Sequence, residues 1–411
     1  MAGFSGAVRR AGVFGVAFGW AVSLMGGASA QAEDYYLNQM PRITGIAFSE
    51  SGKGDFKIAS PFGIFAVAPD GLLREVSKDP GALFEYVADP ANPDVIYSSG
   101  YRSKEEKLGV VKSEDGGKTW RKISNGGAEP VAFGAMAISA SNPKVLYGVA
   151  DKLMVSRDAG VTWQEVGPPP SEVLDLAVAA DDPAKLYIAT RDGLKVSADG
   201  GKTWSAAHPA QQIATLVRAT KDGAVYAFLH TEGLFVKPKG EDGWQKLSDG
   251  FAPRVLFELA VDPTDPQRMM AAADTGAAVI STDGGKTWRS FEGIAYSTPE
   301  RIAQGKKLFT ENCVACHGEK GVGEKPGDPG AKDEDGQFVA PALDDSMHGW
   351  HHADAQLIET IMEGSPRNER MIAWKHNFAR KDAESLVAYI KSLWNFNSIA
   401  CQGPRHMQCM H

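Results

Sequence analysis

Short runs in which apolar and polar positions alternate fill the first three quarters of the chain. Gly193-Leu194-Lys195-Val196-Ser197 and Gly233-Leu234-Phe235-Val236 are examples. A period of two predicts strands whose two faces meet different surroundings. The runs return on a regular beat: Trp120, Trp163, Trp204, Trp244 and Trp288 are spaced by 43, 41, 40 and 44 residues. Four of these tryptophans close the pattern S-x-D-x-G-x-T-W, at residues 113–120, 156–163, 197–204 and 281–288. The fifth, closing 237–244, keeps the phase with degenerate residues. A second element recurs upstream, in Asp89-Pro90, Asn142-Pro143, Asp182-Pro183 and Asp262-Pro263. Residues 43–76 fit an earlier copy without a tryptophan. After residue 298 the period lengthens. Residues 299–309 and 382–394 predict helices, the second with Leu386, Val387, Tyr389, Ile390 and Leu393 on one face.

Four short strands per repeat of about 42 residues is the pattern of a β-propeller blade. Six such units between residues 40 and 293 predict six blades, followed by a small all-α domain over 299–395 and a tail at 396–411. The S-x-D-x-G-x-T-W segments resemble the Asp-box, or BNR, repeats of sialidase-like propellers. In such a box Asp115, Asp158, Asp199 and Asp283 accept backbone N–H groups inside a hairpin turn, a glycine takes the left-handed position, and the tryptophan packs the turn onto its blade. The role is structural. A sialidase would also need three convergent arginines, and whether Arg42, Arg74, Arg102, Arg191, Arg218 and Arg254 supply them is a question for the three-dimensional structure.

The first thirty residues read as a secretory leader. Arg9 and Arg10 precede an apolar run at 11–25, and Ala28-Ser29-Ala30 offers small residues for cleavage near Ala30. That run is short of the ~20 residues a spanning helix needs, and no later segment is long and apolar enough to span. The expectation is a protein without a membrane span after cleavage, in a periplasm-like, oxidising compartment. Composition adds two exclusions. With 43% hydrophobic and 23% charged residues, the 411-residue chain is globular rather than disordered or fibrous. A formal charge of -8 offers no basic excess for a nucleic acid.

Cysteine and histidine are concentrated at one end. Cys313, Cys316, Cys401 and Cys409 all lie in the last quarter, with seven of the nine histidines. Cys313-Val314-Ala315-Cys316-His317 is C-x-x-C-H, the attachment pattern of c-type haem: two thiols add across the porphyrin's two vinyl groups, and the next histidine falls beneath the iron. A zinc half-site would want a second cysteine pair nearby, and a thioredoxin-like dithiol a βαβ context. The surroundings resemble a class I cytochrome c domain. The resemblance implies that Gly305 and Phe309 on the first helix pack against Tyr389 on the last, that Pro341 contacts the proximal histidine, and that Met371 is the sixth ligand. Ile372 stands where the family usually has proline. Met362, His376 and the group His348, His351 and His352 are rival donors.

The tail carries Cys401, His406, Met407, Cys409, Met410 and His411. These could hold copper, or Cys401 and Cys409 could close a disulfide, which removes their thiolates as ligands. The sequence therefore predicts an exported monohaem cytochrome that transfers one electron at a time. A redox protein would be its donor or acceptor, and the propeller would dock a partner or ligand. The alternatives are a propeller-based oxidoreductase or sialidase-like hydrolase with a fused cytochrome, or a copper-handling redox protein.

Overall fold

The computed structural model describes residues 36–37, 40, 42–48, 56–68, 71–77, 81–291, 293–328 and 330–409. The expected leader at 1–30 lies outside the described residues. Six antiparallel sheets follow one another at 45–75, 82–124, 135–167, 173–206, 214–248 and 256–290, each built from consecutive strands. They are the six blades of a β-propeller. Second strands such as Leu186–Thr190, Val225–Leu229 and Met269–Ala273 are buried throughout and apolar apart from Thr190. They are sandwiched between neighbouring blades, so both faces are covered and the alternation weakens there.

The Asp-boxes fold as expected, and serine has a part in them. In the box at 113–120, Ser113 Oγ donates to Asp115 Oδ1 at 2.8 Å and accepts the Gly117 N–H at 2.8 Å. Asp115 accepts the Thr119 N–H at 2.9 Å and the Thr119 hydroxyl at 2.6 Å. The Trp120 ring N–H returns to the Gly117 carbonyl at 3.0 Å, and Gly117 has φ +92. The same bonds recur around Asp158, Asp199 and Asp283. In the degenerate fifth copy Trp244 donates instead to the Ala207 carbonyl of the preceding blade, at 2.7 Å.

Among the described residues the ring closes without strand exchange. Ile46, Phe56 and Ile58 of the first blade share a buried cluster with Ala260, Met270, Ile280 and Phe291 at its other end. The Phe56 and Phe291 rings stand 5.1 Å apart, edge to face.

The helical region follows the last blade: α1 (Pro299–Asn312), α2 (Val314–His317), α3 (Asp354–Glu363), α4 (Arg380–Lys391), α5 (Phe396–Ala400) and α6 (His406–Cys409). Helix α4 begins before the expected 382 because Asp382 is its third residue: its carboxylate reaches back to the Ala379 N–H at 3.0 Å. The helix ends at Lys391, and Trp394 turns away to donate to the Leu343 carbonyl at 2.9 Å. Ile390, Trp394 and Ile399 complete a core with Phe228, Phe251, Leu256 and Met269 of the fifth and sixth blades. Phe396 meets Phe251 at 4.7 Å, and Thr275 donates to the Ala400 carbonyl at 2.6 Å.

One buried ion pair joins several of these segments. The Lys391 ammonium lies 3.1 Å from Asp354, with side chains 1% and 4% exposed. Asp354 also accepts the Ala295 N–H at 2.9 Å and the Gln402 amide at 2.7 Å. No described helix is long and apolar enough to cross a membrane.

Candidate haem site

Helix α1 starts where Thr298 caps it, accepting the Arg301 N–H at 3.2 Å, with Pro299 in its first turn. Its buried face carries Gly305 and Phe309. A Cβ on Gly305 would lie 1.9 Å from the Ser385 carbonyl oxygen, so only glycine lets α1 lie against the α4 backbone. The Phe309 and Tyr389 rings meet at 5.2 Å.

This crossing delivers the C-x-x-C-H segment. The Cys313 N–H bonds the Phe309 carbonyl at 2.8 Å, and the His317 N–H bonds the Cys313 carbonyl at 2.9 Å. Cys313, Cys316 and His317 therefore share one helical turn. Both thiols are free, Cys313 half-buried and Cys316 exposed. Burial, with Cys316 beside it, pushes the Cys313 thiol up to about 11. Gly318 ends the turn with φ +70, and the chain folds back so that the Gly323 N–H meets the His317 carbonyl at 2.7 Å.

His317 is oriented by its own loop. Its Nδ1 lies 2.9 Å from the Pro341 carbonyl, which sets Nδ1 as the protonated nitrogen and leaves Nε2 with its lone pair. Burial lowers its pKa, against the opposing pull of that carbonyl and Glu324. A neutral imidazole with a fixed tautomer, two free thiols in the same turn and an apolar cluster beside them fit a covalently attached haem. Met371 packs against that cluster, which also takes Cys313, Val314 and Leu343 at its edge. Its loop is tight. The Met371 N–H bonds the Asn368 carbonyl at 3.0 Å, and a Cβ on Gly364 would come within 2.8 Å of the Met371 carbonyl oxygen.

A clamp between the two loops gave no signal in the sequence. Glu324 accepts the Ala340 N–H at 3.0 Å, beside Pro341, and pairs with both terminal nitrogens of Arg370, at 2.5 and 3.0 Å. The Arg370 bond is the main reason the Glu324 carboxyl titrates below its usual range. Asn368 adds a bond to the Phe338 carbonyl at 2.7 Å. The segment bearing Met371 is thus tied to the segment that orients His317. None of these partners sits at a motif spacing.

The rival donors fall elsewhere. Met362 is on α3, packed at the edge of the core, and His376 is exposed. His348, His351 and His352 lie on or beside one 3-10 turn, where His351 stacks on His406 of the tail at 4.7 Å. Cys401 and Cys409 are joined in a disulfide. Met407 is 58% exposed, and Met410 and His411 lie outside the described residues. Among the described residues no group of three His, Cys, Asp or Glu side chains is placed to hold a metal ion. The propeller's arginines are dispersed: Arg191 pairs with Glu172, Arg102 with Glu106 and Arg254 with Asp274.

Comparison with known proteins divides the chain in the same way. Residues 300–390 match the family Cytochrome C oxidase, cbb3-type, subunit III, and residues 279–290 match the BNR/Asp-box repeat. The cbb3-type cytochrome c oxidase subunit FixP of Bradyrhizobium diazoefficiens is 33% identical over 105 residues, covering 26% of this chain and 32% of that protein. An oligoxyloglucan-reducing end-specific xyloglucanase of Emericella nidulans is 24% identical over 259 residues, covering 54% of this chain and 31% of that protein. A GH74 enzyme structure from Niastella koreensis covers 63% of this chain and 46% of its own, with TM-score 0.47 and 16% identity. The chain spans about a third of the length of these curated relatives. It joins an Asp-box propeller to a cytochrome c domain, and such a domain carries haem c.

Proposed function

We propose that a cytochrome c domain carried on an Asp-box propeller makes this chain an exported monohaem electron carrier. A propeller at 40–293, a cytochrome at 299–395 and a tail at 396–411 would divide the work. Cys313 and Cys316 would hold the porphyrin, with His317 Nε2 and the Met371 sulfur as the two iron ligands. When bound, the haem supplies a one-electron ferric–ferrous couple. The chain's residues do the rest: Pro341 fixes the histidine tautomer, Glu324 and Arg370 hold the two ligand loops together, and the α1–α4 core keeps water from one side.

The observation that carries this reading is the His317–Pro341 bond within the turn that bears both thiols. Met371 at the edge of the same cluster supports a thioether sixth ligand, which favours a higher potential than two histidines would give. A redox protein in the periplasm is the proposed donor or acceptor. The propeller is its docking platform or the site of a further ligand. The disulfide leaves the copper reading without the thiolates it needs.

The test is spectroscopic. Oxidised wild-type protein should show the weak methionine-to-iron band at the red end of the spectrum. Met371→Ala should lose it, while His348→Ala and His376→Ala keep it. Persistence of the band in Met371→Ala would overturn the assignment.

A further inference from the structure

The strands nearest the propeller axis share one register, and this lines up residues from six blades at one level. Gly45 pairs with Ala59, Ala135 with Val149, Asp175 with Ala189, Leu216 with Phe228 and Glu258 with Ala272, all at the same step of their ladders. In the second blade the innermost strand is split into Ala82–Leu83 and Val87–Asp89, and Glu85 occupies that step in the gap. Every second blade, the second, fourth and sixth, therefore carries a carboxyl there. The other three carry glycine, alanine and leucine.

The three acids are not equally provided for. Asp175 accepts the Leu176 and Val217 N–H groups, at 2.8 and 2.9 Å. Glu258 accepts from Arg218 at 3.3 Å, and Arg218 also lies 3.7 Å from Asp175. Glu85 is 7% exposed, and its carboxyl makes no hydrogen bond or ion pair, although charge coupling to Glu258, Asp175 and Arg218 places it among them. The Glu85 oxygens reach solvent, whereas Arg218 Nε is fully buried without a partner among the described residues. The level is open to solvent on the Arg218 and Glu258 side, whose side chains are 26% and 14% exposed, and Phe257 next to Glu258 is 44% exposed.

We propose that this ring is a binding site for a primary ammonium group on an unbranched aliphatic stem, entering along the propeller axis. Three carboxyls on alternate blades share one level of the strands nearest the axis, and an ammonium offers three N–H donors. With a single guanidinium among them the acids are in excess, and Arg42 acts on Glu258 only as a further nearby charge.

The ring's two glutamates hold their protons above the ordinary carboxylate range. Burial, against the pull of Arg218, raises Glu258 to about 8, and burial followed by Glu258 and Asp175 raises Glu85. The ammonium requires carboxylates, so its binding must release protons and tighten as pH rises, until the amine itself loses its charge near ~10.4.

Calorimetric titration of the haem-loaded protein with n-butylammonium chloride tests this. Saturable binding at pH 9, at least about tenfold weaker at pH 6.5, is expected. Tetramethylammonium, which donates no hydrogen bond, and calcium should bind more weakly. Glu258→Gln should weaken binding and flatten its pH dependence. Glu85→Gln should also weaken it and, having no native partner to lose, keeps the test valid if Glu258→Gln fails to fold. A parallel titration with Nα-acetyl-lysine amide separates the sources. Tighter binding than butylammonium assigns the site to a partner's lysine side chain, and equal or weaker binding assigns it to a free amine. No saturation at pH 9, tighter binding of calcium, or an isotherm unchanged in Glu85→Gln would overturn the proposal. The haem spectrum, unchanged throughout, separates such a failure from a failure of the electron-carrier reading.

Discussion

At the scale of single residues, the chemistry rests on donors whose partners are close in sequence. Each box aspartate takes its bonds from a threonine four positions on, and these bonds hold its carboxyl low, to about 2 for Asp115. A depressed carboxyl contributes stability that is complete above its unfolded value near ~4 and lost as pH falls through the folded value. Thermal melts between pH 4 and pH 2 should therefore fall steeply for the wild type. Asp115→Asn should melt lower than wild type at pH 7 and lose less over that acid range. An equal acid loss in both would contradict the role given to the box. Such local partners are legible in a sequence, and so is C-x-x-C-H. The Glu324–Arg370 clamp and the ring of Glu85, Asp175 and Glu258 were not legible. The first pair is 46 positions apart, and the ring depends on a shared strand register that the varied residues around it conceal.

At the scale of elements, period-two runs and tryptophan spacing located the blades, and period 3.6 located α1 and α4. Boundaries were less readable. The Asp382 carboxylate looks like a helix start but bonds backward to Ala379, so α4 begins at Arg380. Trp394 continues the apolar stripe in sequence yet leaves the helix to join the propeller core. The Lys391–Asp354 pair has no sequence signature, although it links α3, α4, the segment after the last blade and the tail. Removing one buried partner strands the other charge, at a cost of about 3–5 kcal/mol. Lys391→Met should lose that much in urea denaturation. Lys391→Met combined with Asp354→Leu should recover part of it, with the bonds to Ala295 and Gln402 still missing. A single variant as stable as wild type would show the pair to be dispensable.

At the scale of the whole molecule, each blade is one continuous stretch of chain, and most bonds join a strand to the next or a blade to its neighbour. The meeting of the first and last blades differs in kind, because Phe56 and Phe291 come together across almost the whole propeller sequence. Among the described residues no strand of one end is woven into the sheet of the other. In kinetic terms the blades are local and quick to form, and closing the ring is the slow, entropically expensive step. Its reward is the apolar cluster at the seam, formed after the blades themselves. Phe291→Ala should accelerate unfolding far more than it slows folding, as for contacts absent from the transition state. A stopped-flow chevron would show this as a raised unfolding limb over an unchanged folding limb. The cytochrome's helices are anchored on the fifth and sixth blades, next to that seam. The cytochrome c domain thus weighs on the joint where the ring closes. The lifetime of the closed ring, rather than the stability of any one blade, then sets how long the cytochrome c domain keeps its anchorage.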